Sequence, residues 1–357
     1  MPVQDSIKEI CSSATGRAPL WLTKIIHYEY WPFVVFYIPA IFYWIALALR
    51  SRSLLYFTAA NPAIEMGGFF GESKSAILDQ IPQRYRPKHI CTIGGSHANE
   101  DIDRQLNEAG LTYPLIAKPD KGERGNKVTK ILNTAELLKY LESVSGKVIL
   151  QQFIPYETEL GILYYQYPER SVSGISSVTT KKFFSVCGDG RSTVSQLIQA
   201  EPRYRMHIDT MKARYGDELG TILPAGSEML LEPIGNHCRG TMFLDGSHLI
   251  NDKLIKVFDT ISNEFPGFYF GRFDIRVRSI EDLYNGELMI MELNGTTSEP
   301  SHIYDPSFSI FSAYRDIFLN MRIVQRISVQ NIRLGVRPAS VREFIRTVYS
   351  HFRNNNG

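Results

Sequence analysis

The sequence predicts an α+β fold, and three features lead to this prediction. After Pro114, short apolar runs typical of strands alternate with segments of helical spacing. The two kinds of segment do not follow a strict β-α-β order, which separates the pattern from that of a parallel α/β sheet. The chain has 357 residues, of which 44% are hydrophobic and 21% charged, so it can form a sizeable core.

The expected elements follow one another along the chain. We predict helices at 72–80, 133–144, 193–199, 205–215 and 252–265, and further helices from about residue 308. Asn133 or Thr134 caps the second of these helices. We predict strands at 115–118, 148–154, 159–167, 171–180, 268–278 and 287–294.

Composition shifts divide the chain into four expected parts. Residues 1–60 form an apolar, aromatic N-terminal region, and 61–110 form a linker with a helical lead-in that begins in a Gly- and Pro-rich loop. A catalytic domain follows at 111–325, and a helical tail at 326–357 closes the chain.

The segment 31–49 has nineteen residues without a formal charge, close to the roughly 20 that cross a bilayer. Aromatic residues crowd both of its ends, and Arg50 and Arg52 after it would mark a cytoplasmic side. Pro32 and Pro39 interrupt a helix, however, and two tyrosines soften the hydrophobicity. The pattern leaves two interpretations: a segment that inserts into a membrane or lies on its surface, and a buried helical hairpin.

Charge and cysteine content narrow the class of protein. The net charge is +2 at pH 7, and Lys and Arg are spread along the chain, so we expect no nucleic-acid partner. The four cysteines lie far apart and form no C-x-x-C pair, which favours reduced thiols over disulfides or a zinc site. We therefore predict a cytoplasmic catalytic domain, with membrane association through 31–49 as an open alternative.

Polar side chains alternate with apolar ones along the last two expected strands. In GRFDIRV, Arg272, Asp274 and Arg276 stand two residues apart, so they point to one face of the sheet. In ELMIMELN, Glu292 and Asn294 have the same spacing. Carboxylate and amide oxygens suit Mg²⁺ or Mn²⁺, which also bind waters and phosphate oxygens. We therefore predict a metal site of Asp274, Glu292 and Asn294; the alternative is a sheet face whose charges meet only water.

A basic loop with two glycines follows the first expected strand. Lys118 ends that strand, and Pro119 forces an extended exit. The loop at 120–127 contains these glycines and cations: Gly122, Gly125, Lys121, Arg124 and Lys127. Glycine backbone can approach phosphates closely, and nearby cations neutralise them. The loop therefore predicts phosphate contact, although a simple hairpin loop can have the same composition.

The stretch VILQQFIPYETELGIL contains a strand that breaks at Pro155. Such a break leaves backbone donors and acceptors at 152–154 available for the edge of an adenine ring. Glu159, shortly after the break, is a candidate for binding the ribose hydroxyls. By itself the pattern is also that of a bend in a sheet.

Placed in order, these motifs resemble the ATP-grasp superfamily, most closely its D-alanine–D-alanine ligase and cyanophycin-synthetase-like branches. The resemblance covers about residues 74–320. It implies an ATP-grasp fold, in which two α+β subdomains clamp ATP, preceded here by a hydrophobic helical region. It also implies ATP and Mg²⁺ (or Mn²⁺) as cofactors, small-molecule carboxylate and amine substrates, and a homodimer.

The resemblance further implies a role for each matching residue. The nucleotide-binding residues are Lys74, Lys118, Lys121, Gly122, Gly125, Gln151, Gln152, Phe153, Ile154, Glu159 and Arg239. The metal ligands are Asp274, Glu292 and Asn294, and the catalytic residues are Arg272 and Lys118. The adenine hinge departs from the family, which usually has Glu where Gln151 stands.

Two further stretches carry the resemblance. VCGDGRSTVSQLI is similar to the GDG-(K/R)-ST turn of cyanophycin-synthetase-type and glutathione-synthetase-type ligases. NHCRGTMFLD is similar to the loop that follows it there, which makes Arg239 a candidate phosphate contact. One of Lys181 and Lys182 would lie over the phosphates, and the sequence does not distinguish them.

Together these implications predict an ATP- and Mg²⁺-dependent ligase that forms a C–N bond through an acyl phosphate and releases ADP and phosphate. Two alternatives stay open: a phosphotransferase of the same fold that forms no amide, and a non-catalytic nucleotide-binding, membrane-associated protein. Candidate substrate residues in the polar segment GTTSEPSHIYDP are Ser298, Glu299, Ser301 and His302. Equally, this segment is a capped loop before the helix expected from residue 308.

Overall fold

The computed structural model describes residues 20–69, 72–95, 101–122, 125–169 and 172–355. The strands of this part of the chain are β1 His89–Gly94, β2 Leu115–Pro119, β3 Thr129–Ile131, β4 Gly146–Gln152, β5 Thr158–Gln166, β6 Ser173–Lys182, β7 Phe184–Cys187, β8 Glu228–Glu232, β9 Met242–Asp245, β10 Phe270–Val277 and β11 Met289–Asn294. Its helices are α1 Leu20–Ile26, α2 Phe33–Ser51, α3 Lys74–Gln80, α4 Ile102–Glu108, α5 Thr134–Ser143, α6 Val194–Ala200, α7 Pro202–Arg205, α8 Ile208–Tyr215, α9 Asp252–Asn263, α10 Ile280–Tyr284, α11 Ile310–Arg333 and α12 Val341–Asn355. The α+β class is confirmed.

The chain divides into two compact units. The first combines Met1–Phe36 with Phe183–Thr241, and the second combines Tyr37–Lys182 with Met242–Gly357. This division cuts across the catalytic domain that we predicted at 111–325, because 183–241 belongs to the first unit. The predicted boundary at 325/326 falls inside α11, and the predicted linker contains β1 and α4.

A four-stranded antiparallel sheet forms one α+β part of the second unit. Its strand order is β1-β4-β2-β3, and the helices α4 and α5 pack on it. Apolar residues of both strands and helices, such as Leu115, Leu137 and Leu150, are completely buried. The side chain of Asn133 accepts a hydrogen bond from the backbone N–H of Glu136 and so caps α5, as the sequence predicts. This sheet positions Lys118 and the strand end at Gln152.

A five-stranded antiparallel sheet forms the other α+β part of this unit. Its strand order is β11-β10-β5-β6-β9. One face is apolar and packs on α9, with Phe258, Phe273 and Ile275 completely buried. Because successive side chains on a strand alternate between faces, the polar residues of β10 lie on the opposite face. The second unit thus contains the two α+β subdomains that the ATP-grasp resemblance implies.

The helix α2 is the apolar segment of the N-terminal region, and it is one continuous helix rather than a helical hairpin. It includes Pro39 and is long and apolar enough to cross a bilayer by length and composition alone. One side of it joins an apolar cluster with α11 and the 3₁₀ turn Tyr56–Ala59, in which Leu47, Ala48 and Ile327 are buried. A hydrophobic N-terminal helix is therefore present, as predicted.

The first unit contains the strand pair β7-β8 and the helices α6 to α8. Its GDG turn is closed by Asp189, whose carboxylate accepts hydrogen bonds from the backbone N–H groups of Arg191 and Ser192. These bonds lower the pKa of Asp189 to about 2. Thr193 and Gln196 then form a reciprocal capping box at the start of α6.

Candidate nucleotide and metal site

The two central strands of the candidate site, β10 and β11, are hydrogen-bonded neighbours. Asp274 lies directly opposite Glu292, and Arg272 lies directly opposite Asn294. Side chains at opposite positions of an antiparallel pair point to the same face, with Cβ atoms about 4.5–5.5 Å apart. The register therefore brings together the two carboxylates and the amide that the sequence predicts as metal ligands.

Lysines from two other elements surround Glu292. Lys74, the first residue of α3, forms an ion pair with the Glu292 carboxylate. Burial alone would raise the pKa of Glu292, but the charges of Lys74 and Lys118 outweigh it and hold that pKa at about 2. Burial lowers the pKa of Lys118 to about 8, although Glu292 acts to raise it. The ammonium of Lys118 donates to the backbone carbonyl of Met291 at 3.1 Å.

Asp274 is 7% exposed and has three polar partners. Its carboxylate lies 3.0 Å from the Lys181 ammonium, 3.4 Å from Arg272 Nε and 3.2 Å from Asn294 Nδ2. Lys181 also contacts Glu159 at 2.9 Å, and although burial opposes it, the two carboxylates raise the pKa of Lys181. Of the two lysines that the sequence left undistinguished, Lys181 is thus the one at the acidic site.

The donor set fits a hard divalent cation. Oδ1 of Asp274 is buried without a well-aligned hydrogen-bond donor, so the Lys181 contact neutralises its charge but leaves a lone pair unused. Within the described ranges, no three His, Cys, Asp or Glu side chains are placed to bind one metal ion together. The third protein ligand of this site would therefore be the amide oxygen of Asn294. Mg²⁺ is commonly bound by one or two carboxylates together with waters and phosphate oxygens.

Arg272 connects the carboxylates to the segment that follows β11. Its Nη1 donates to the Ser301 hydroxyl at 2.9 Å, and its backbone N–H donates to the Ser298 hydroxyl at 3.1 Å. The Ser298 hydroxyl in turn donates to the backbone carbonyl of Asn294 at 2.8 Å. The two serines therefore hold Arg272 and the end of β11 in position rather than presenting unused hydroxyl groups.

Glu299 and His302 have different surroundings in this segment. The carboxylate of Glu299 accepts hydrogen bonds from the phenols of Tyr37, on α2, and Tyr304. Burial and the charge of Glu299 raise the pKa of both phenols, so both stay protonated donors. His302 is 2% exposed, and its two ring nitrogens lie 2.6 Å from Ser177 Oγ and 3.0 Å from Asp316 Oδ2.

This geometry corrects one predicted residue and adds two. His302 is enclosed and bonded on both sides, so it does not present itself to a substrate as we expected. Tyr37 was missed because a phenol that reaches Glu299 from an apolar helix leaves no periodic signal in the sequence. Tyr304, in the 3₁₀ turn Ser301–Tyr304, was missed although it stands in the same segment as Glu299. Ser298, Ser301 and Glu299 do lie at the end of β11 beside Arg272.

The glycine-containing loop joins β2 to β3. Lys121 is exposed at its start, and Gly125 adopts a left-handed backbone conformation with φ of +68°. Arg124, which we predicted as a phosphate contact, lies outside the described residues. At the loop's base the buried Asp120 accepts hydrogen bonds from Ser73 Oγ and from the Ser75 backbone N–H at 2.8 Å each.

The sequence reasoning missed Asp120, which ties the N-terminus of α3 to the end of β2. Its hydrogen bonds, together with the charge of Lys147, lower its pKa although burial opposes the shift. Asp120 therefore fixes the start of α3, which carries Lys74, to the end of β2, which carries Lys118. A carboxylate directly after the Lys-Pro pair was the available sequence signal.

The expected adenine hinge lies at the end of β4. Gln151 is 1% exposed, and its buried side-chain oxygen has no hydrogen-bond partner among the residues that the structure describes. The backbone N–H of Gln152 donates to the carbonyl of Lys88 at 2.8 Å, and the carbonyl of Ile154 accepts from Arg276 Nη1 at 3.0 Å. Phe153 packs under the Lys130 ammonium at 4.1 Å. Two of the expected adenine-reading backbone groups are thus engaged within the protein.

Glu159 lies at the start of β5 and is 8% exposed. One carboxylate oxygen contacts Lys181 at 2.9 Å, and the other contacts Arg276 at 2.9 Å. The residue that we predicted for the ribose therefore bridges β6 and β10 in this structure. A ribose hydroxyl would have to share its oxygens with these two cations.

The loop before α3, which the sequence marks only as rich in Gly and Pro, packs on the end of β11. Gly68 has a φ of +80°, and a Cβ there would lie 2.6 Å from the Cα of Gly295. The side-chain oxygen of the fully buried Asn61 accepts hydrogen bonds from the backbone N–H groups of Tyr269 and Phe270 at 2.9 Å each. Only glycine allows this approach, which places the loop beside the turn after Asn294.

Arg239 lies in the first unit, at the end of a short 3₁₀ turn. Its Nε donates to the buried carboxylate of Glu232 at 2.9 Å, and Arg214 contacts the same oxygen at 3.0 Å. Its predicted phosphate role stays a prediction.

A pocket of about 310 Å³ lies among residues that the sequence did not single out. It is lined by Arg84, Tyr85, Tyr156, Arg278, Asp282, Gly286, Glu287, Leu288 and Met289. None of the predicted nucleotide or metal residues lines it.

No protein-family model and no curated protein matches the sequence. Solved structures that align with it include D-alanine–D-alanine ligase from Bacillus anthracis, with 12% identity over 73% of this chain and 67% of that chain and a TM-score of 0.39. VanG D-Ala:D-Ser ligase from Enterococcus faecalis aligns with 15% identity over 70% of this chain and 61% of that chain, at a TM-score of 0.37. The bifunctional glutathione synthetase from Pasteurella multocida aligns with 12% identity over 69% of this chain, at a TM-score of 0.37.

These aligned proteins are ATP-grasp ligases, the superfamily that the motifs resemble. The chain spans only 36% of the glutathione synthetase and 61% of the D-Ala:D-Ser ligase.

Proposed function

We propose that this protein is an ATP- and Mg²⁺-dependent ligase that joins a carboxylate to an amine through an acyl phosphate. One observation carries the proposal. Two carboxylates face each other across β10 and β11 and are paired with Lys74, Lys181 and Arg272. The charge of a fourth basic residue, Lys118, helps to lower the pKa of Glu292. A cluster in which cations outnumber the acids at a sheet face suits a polyphosphate with its metal ion.

Asp274, Glu292 and Asn294 would hold the magnesium ion. When bound there, the ion would offset the charge of the β- and γ-phosphates. Lys74 and Lys181 now neutralise the two carboxylates, and both have flexible stems. Their ammonium groups are therefore able to turn to phosphate oxygens as the nucleotide enters.

The first chemical step is proposed to transfer the γ-phosphoryl group. An oxygen of the substrate carboxylate forms a bond to the γ-phosphorus, and the bond to the bridging oxygen breaks, so that ADP leaves with the electron pair. The product is a mixed anhydride of the carboxylate and phosphate. Such a transfer needs positioning and charge neutralisation more than covalent help, which Lys118 and Arg272 supply.

The second step forms the amide bond. The amine nitrogen attacks the carbonyl carbon of the anhydride and loses a proton, and the C–O bond to phosphate breaks. Arg272 is held between Asp274 and Ser301, where its guanidinium stabilises negative charge on the reacting oxygens. We propose that Glu299, which accepts hydrogen bonds from Tyr37 and Tyr304, binds the amine substrate.

Product formation separates this proposal from its two alternatives. Purified protein with Mg²⁺ and ATP is incubated with a panel of carboxylates and amines, and ADP release is measured. Hydroxylamine added in place of the amine yields a hydroxamate only if an acyl phosphate forms. ADP release with a stable phosphorylated acceptor and no hydroxamate indicates a phosphotransferase. ATP binding without turnover across the panel indicates a non-catalytic protein.

A further inference from the structure

The helix α2 has two apolar sides, one buried in the protein and the other exposed. Phe36, Ala40, Leu47 and Ala48 are 2–6% exposed and pack into the protein. The residues of the other side are 41–73% exposed, and they are Ile38, Ile41, Phe42, Ile45 and Leu49. Their spacing of three and four residues places them along one stripe of the helix, here called the α2 stripe. A contiguous row of exposed large apolar side chains marks an interaction surface.

Cations without acids flank the α2 stripe. Arg50 and Arg52 are exposed directly after it, and neither forms an ion pair with another described residue. No Asp or Glu occurs between Glu29 and Glu65. An apolar row next to uncompensated arginines complements a bilayer that contains anionic phospholipid, because the arginines attract the head groups and the row enters the acyl boundary.

The buried side of α2 excludes a helix that crosses the bilayer in this fold. The phenol of Tyr37 donates to Glu299, and Ser51 Oγ accepts from Gln325 Nε2 at 3.0 Å. A spanning helix would expose the buried side to lipid and break both bonds. A second copy of the chain is also a poor occupant, because an isologous contact of the stripe would leave the four arginines without acidic partners.

We propose that the α2 stripe docks this protein on the surface of a membrane containing anionic phospholipid, with α2 lying in the plane of the interface. The consequence for catalysis rests on the proposed function. Because Tyr37 lies on the buried side of α2 and donates to Glu299, docking holds the amine side of the site near the lipid, with the width of α2, roughly 10–12 Å, between them. The amine substrate is then an amphiphile that this surface presents, rather than a solute of the bulk phase.

Vesicle sedimentation tests the docking without reference to activity. The wild-type chain should co-sediment with phosphatidylcholine vesicles that contain about 30 mol% phosphatidylglycerol, and bind pure phosphatidylcholine at least about tenfold more weakly. The triple variant Ile41→Ser, Phe42→Ser and Ile45→Ser should bind the mixed vesicles at least about tenfold more weakly. Arg50→Gln with Arg52→Gln should remove the preference for the anionic lipid.

A matched control keeps the result specific. Ile93→Ser, Leu132→Ser and Ile222→Ser replace the same number of exposed apolar side chains elsewhere and should leave vesicle binding unchanged. Absence of binding by the wild-type chain overturns the proposal. So does bound protein that alkaline carbonate fails to release, which indicates a spanning helix, or a triple variant that changes only the dimer–monomer balance in light scattering.

The substrate class has its own readout. With an active carboxylate, ADP release should rise at least about tenfold when the amine is an aminolipid in vesicles rather than a soluble amine of the same head group. Equal rates with both amines refute the amphiphilic substrate while leaving the docking result and the ligase proposal standing. Failure of ADP release with every substrate, together with vesicle binding, refutes the ligase proposal alone.

Discussion

Two clusters of buried charge in this molecule are built in different ways. In the first unit, Arg203 is 4% exposed and pairs with Glu29. It also donates to the backbone carbonyls of Thr241 at 2.9 Å, His237 at 3.3 Å and Gly240 at 3.4 Å. At the candidate site, the contacts of Asp274 are all to side chains, and one of its oxygens lacks a hydrogen bond.

The difference indicates which cluster can exchange partners. A guanidinium bonded to three backbone carbonyls as well as to Glu29 is fixed by the main chain, so it holds its own segment together. Lysine side chains around carboxylates can turn toward an incoming phosphate without disturbing the backbone. We therefore expect the Arg203 cluster to contribute mainly to stability and the Asp274 cluster to serve the proposed reaction, and the following substitutions test this separation.

Removing a metal carboxylate should have the largest effect. Asp274→Asn and Glu292→Gln should each lower kcat for ADP release about a thousandfold or more, because the charge that holds the metal ion is lost. Each variant should also unfold at a lower temperature, because a lysine of the site loses a carboxylate partner, so kcat is measured where both variants are folded. Asp209→Asn, at a side chain 94% exposed, is the control. Wild-type turnover in either variant would remove these residues from the mechanism.

Arg203→Leu should act on stability. It removes the arginine paired with the buried Glu29, which keeps its contact with His237, and should lower the free energy of unfolding by about 3–5 kcal/mol. Chemical denaturation measures this loss, and Lys212→Met, at a side chain 60% exposed, is the comparison. At a temperature where the variant is folded, kcat should match the wild type. A selective loss of kcat would contradict the separation of the two clusters.

The two neighbouring lysines at the end of β6 should differ. Lys181→Met removes the cation between Glu159 and Asp274, so kcat/KM for ATP should fall about 10–100-fold. Lys182→Met should change it less than about twofold, because the site's carboxylates already have Lys181 as their partner. Steady-state kinetics at varied ATP concentration measures both, and equal losses would reject the assignment of Lys181.

The pH dependence of kcat/KM for ATP should show the buried lysine. Because burial lowers the pKa of Lys118 to about 8, its positive charge is lost as pH rises through about 8. kcat/KM should then fall up to about tenfold per pH unit above that value. Lys118→Arg, which stays charged, should remove this limb. If kcat/KM of that variant still falls above about pH 8, another group causes the decrease.

Whereas kcat/KM should fall as pH rises, the contribution of Lys118 to folding stability should increase. Between about pH 8 and 10.4, Lys118 is largely neutral in the folded protein and charged in the unfolded chain. The unfolded state therefore binds more protons, and the contribution of Lys118 to the free energy of unfolding rises with pH through this window. The lowered pKa of Glu292, about 2, adds stability that is present above about pH 4.3 and is lost as pH falls toward 2. Denaturation curves of wild type, Lys118→Met and Glu292→Gln across pH separate the two contributions.

Tyr37→Phe should have the smallest effect. It removes one of two donors to Glu299, so KM for the amine should rise a few-fold while kcat for hydroxylamine-trapped acyl phosphate stays unchanged. Tyr304→Phe is the matched variant, because its phenol contacts the same carboxylate. A loss of acyl phosphate formation in either variant would place Glu299 in the first step instead.

Much of the fold follows from local patterns in the sequence. The period-two alternation of β10 and β11 predicted which side chains share a face, and residues Asn133 and Thr193 supplied caps where the helices begin. Strands without a clear pattern were missed, among them β1, β3, β7 and β9. These are three to six residues long, and pairing with neighbours decides them more than propensity does.

Tertiary structure alone decided several parts of the site. Asp274 faces Glu292 because of the register between two strands, which no pattern within either strand specifies. His302 is enclosed by Ser177 and Asp316, which are far away in the sequence. Lys181 rather than Lys182 reaches the carboxylates because successive residues of β6 point to opposite faces.

By itself, then, the sequence predicted most of the candidate site residues and the faces of the local elements that they occupy. The tertiary structure decided which of these residues meet, because long-range pairing sets distances between segments that are remote along the chain. It also decided that one side of α2 is buried beside Glu299 while the other is exposed. Both sides of α2 are apolar, so only packing could distinguish the buried side from the exposed one.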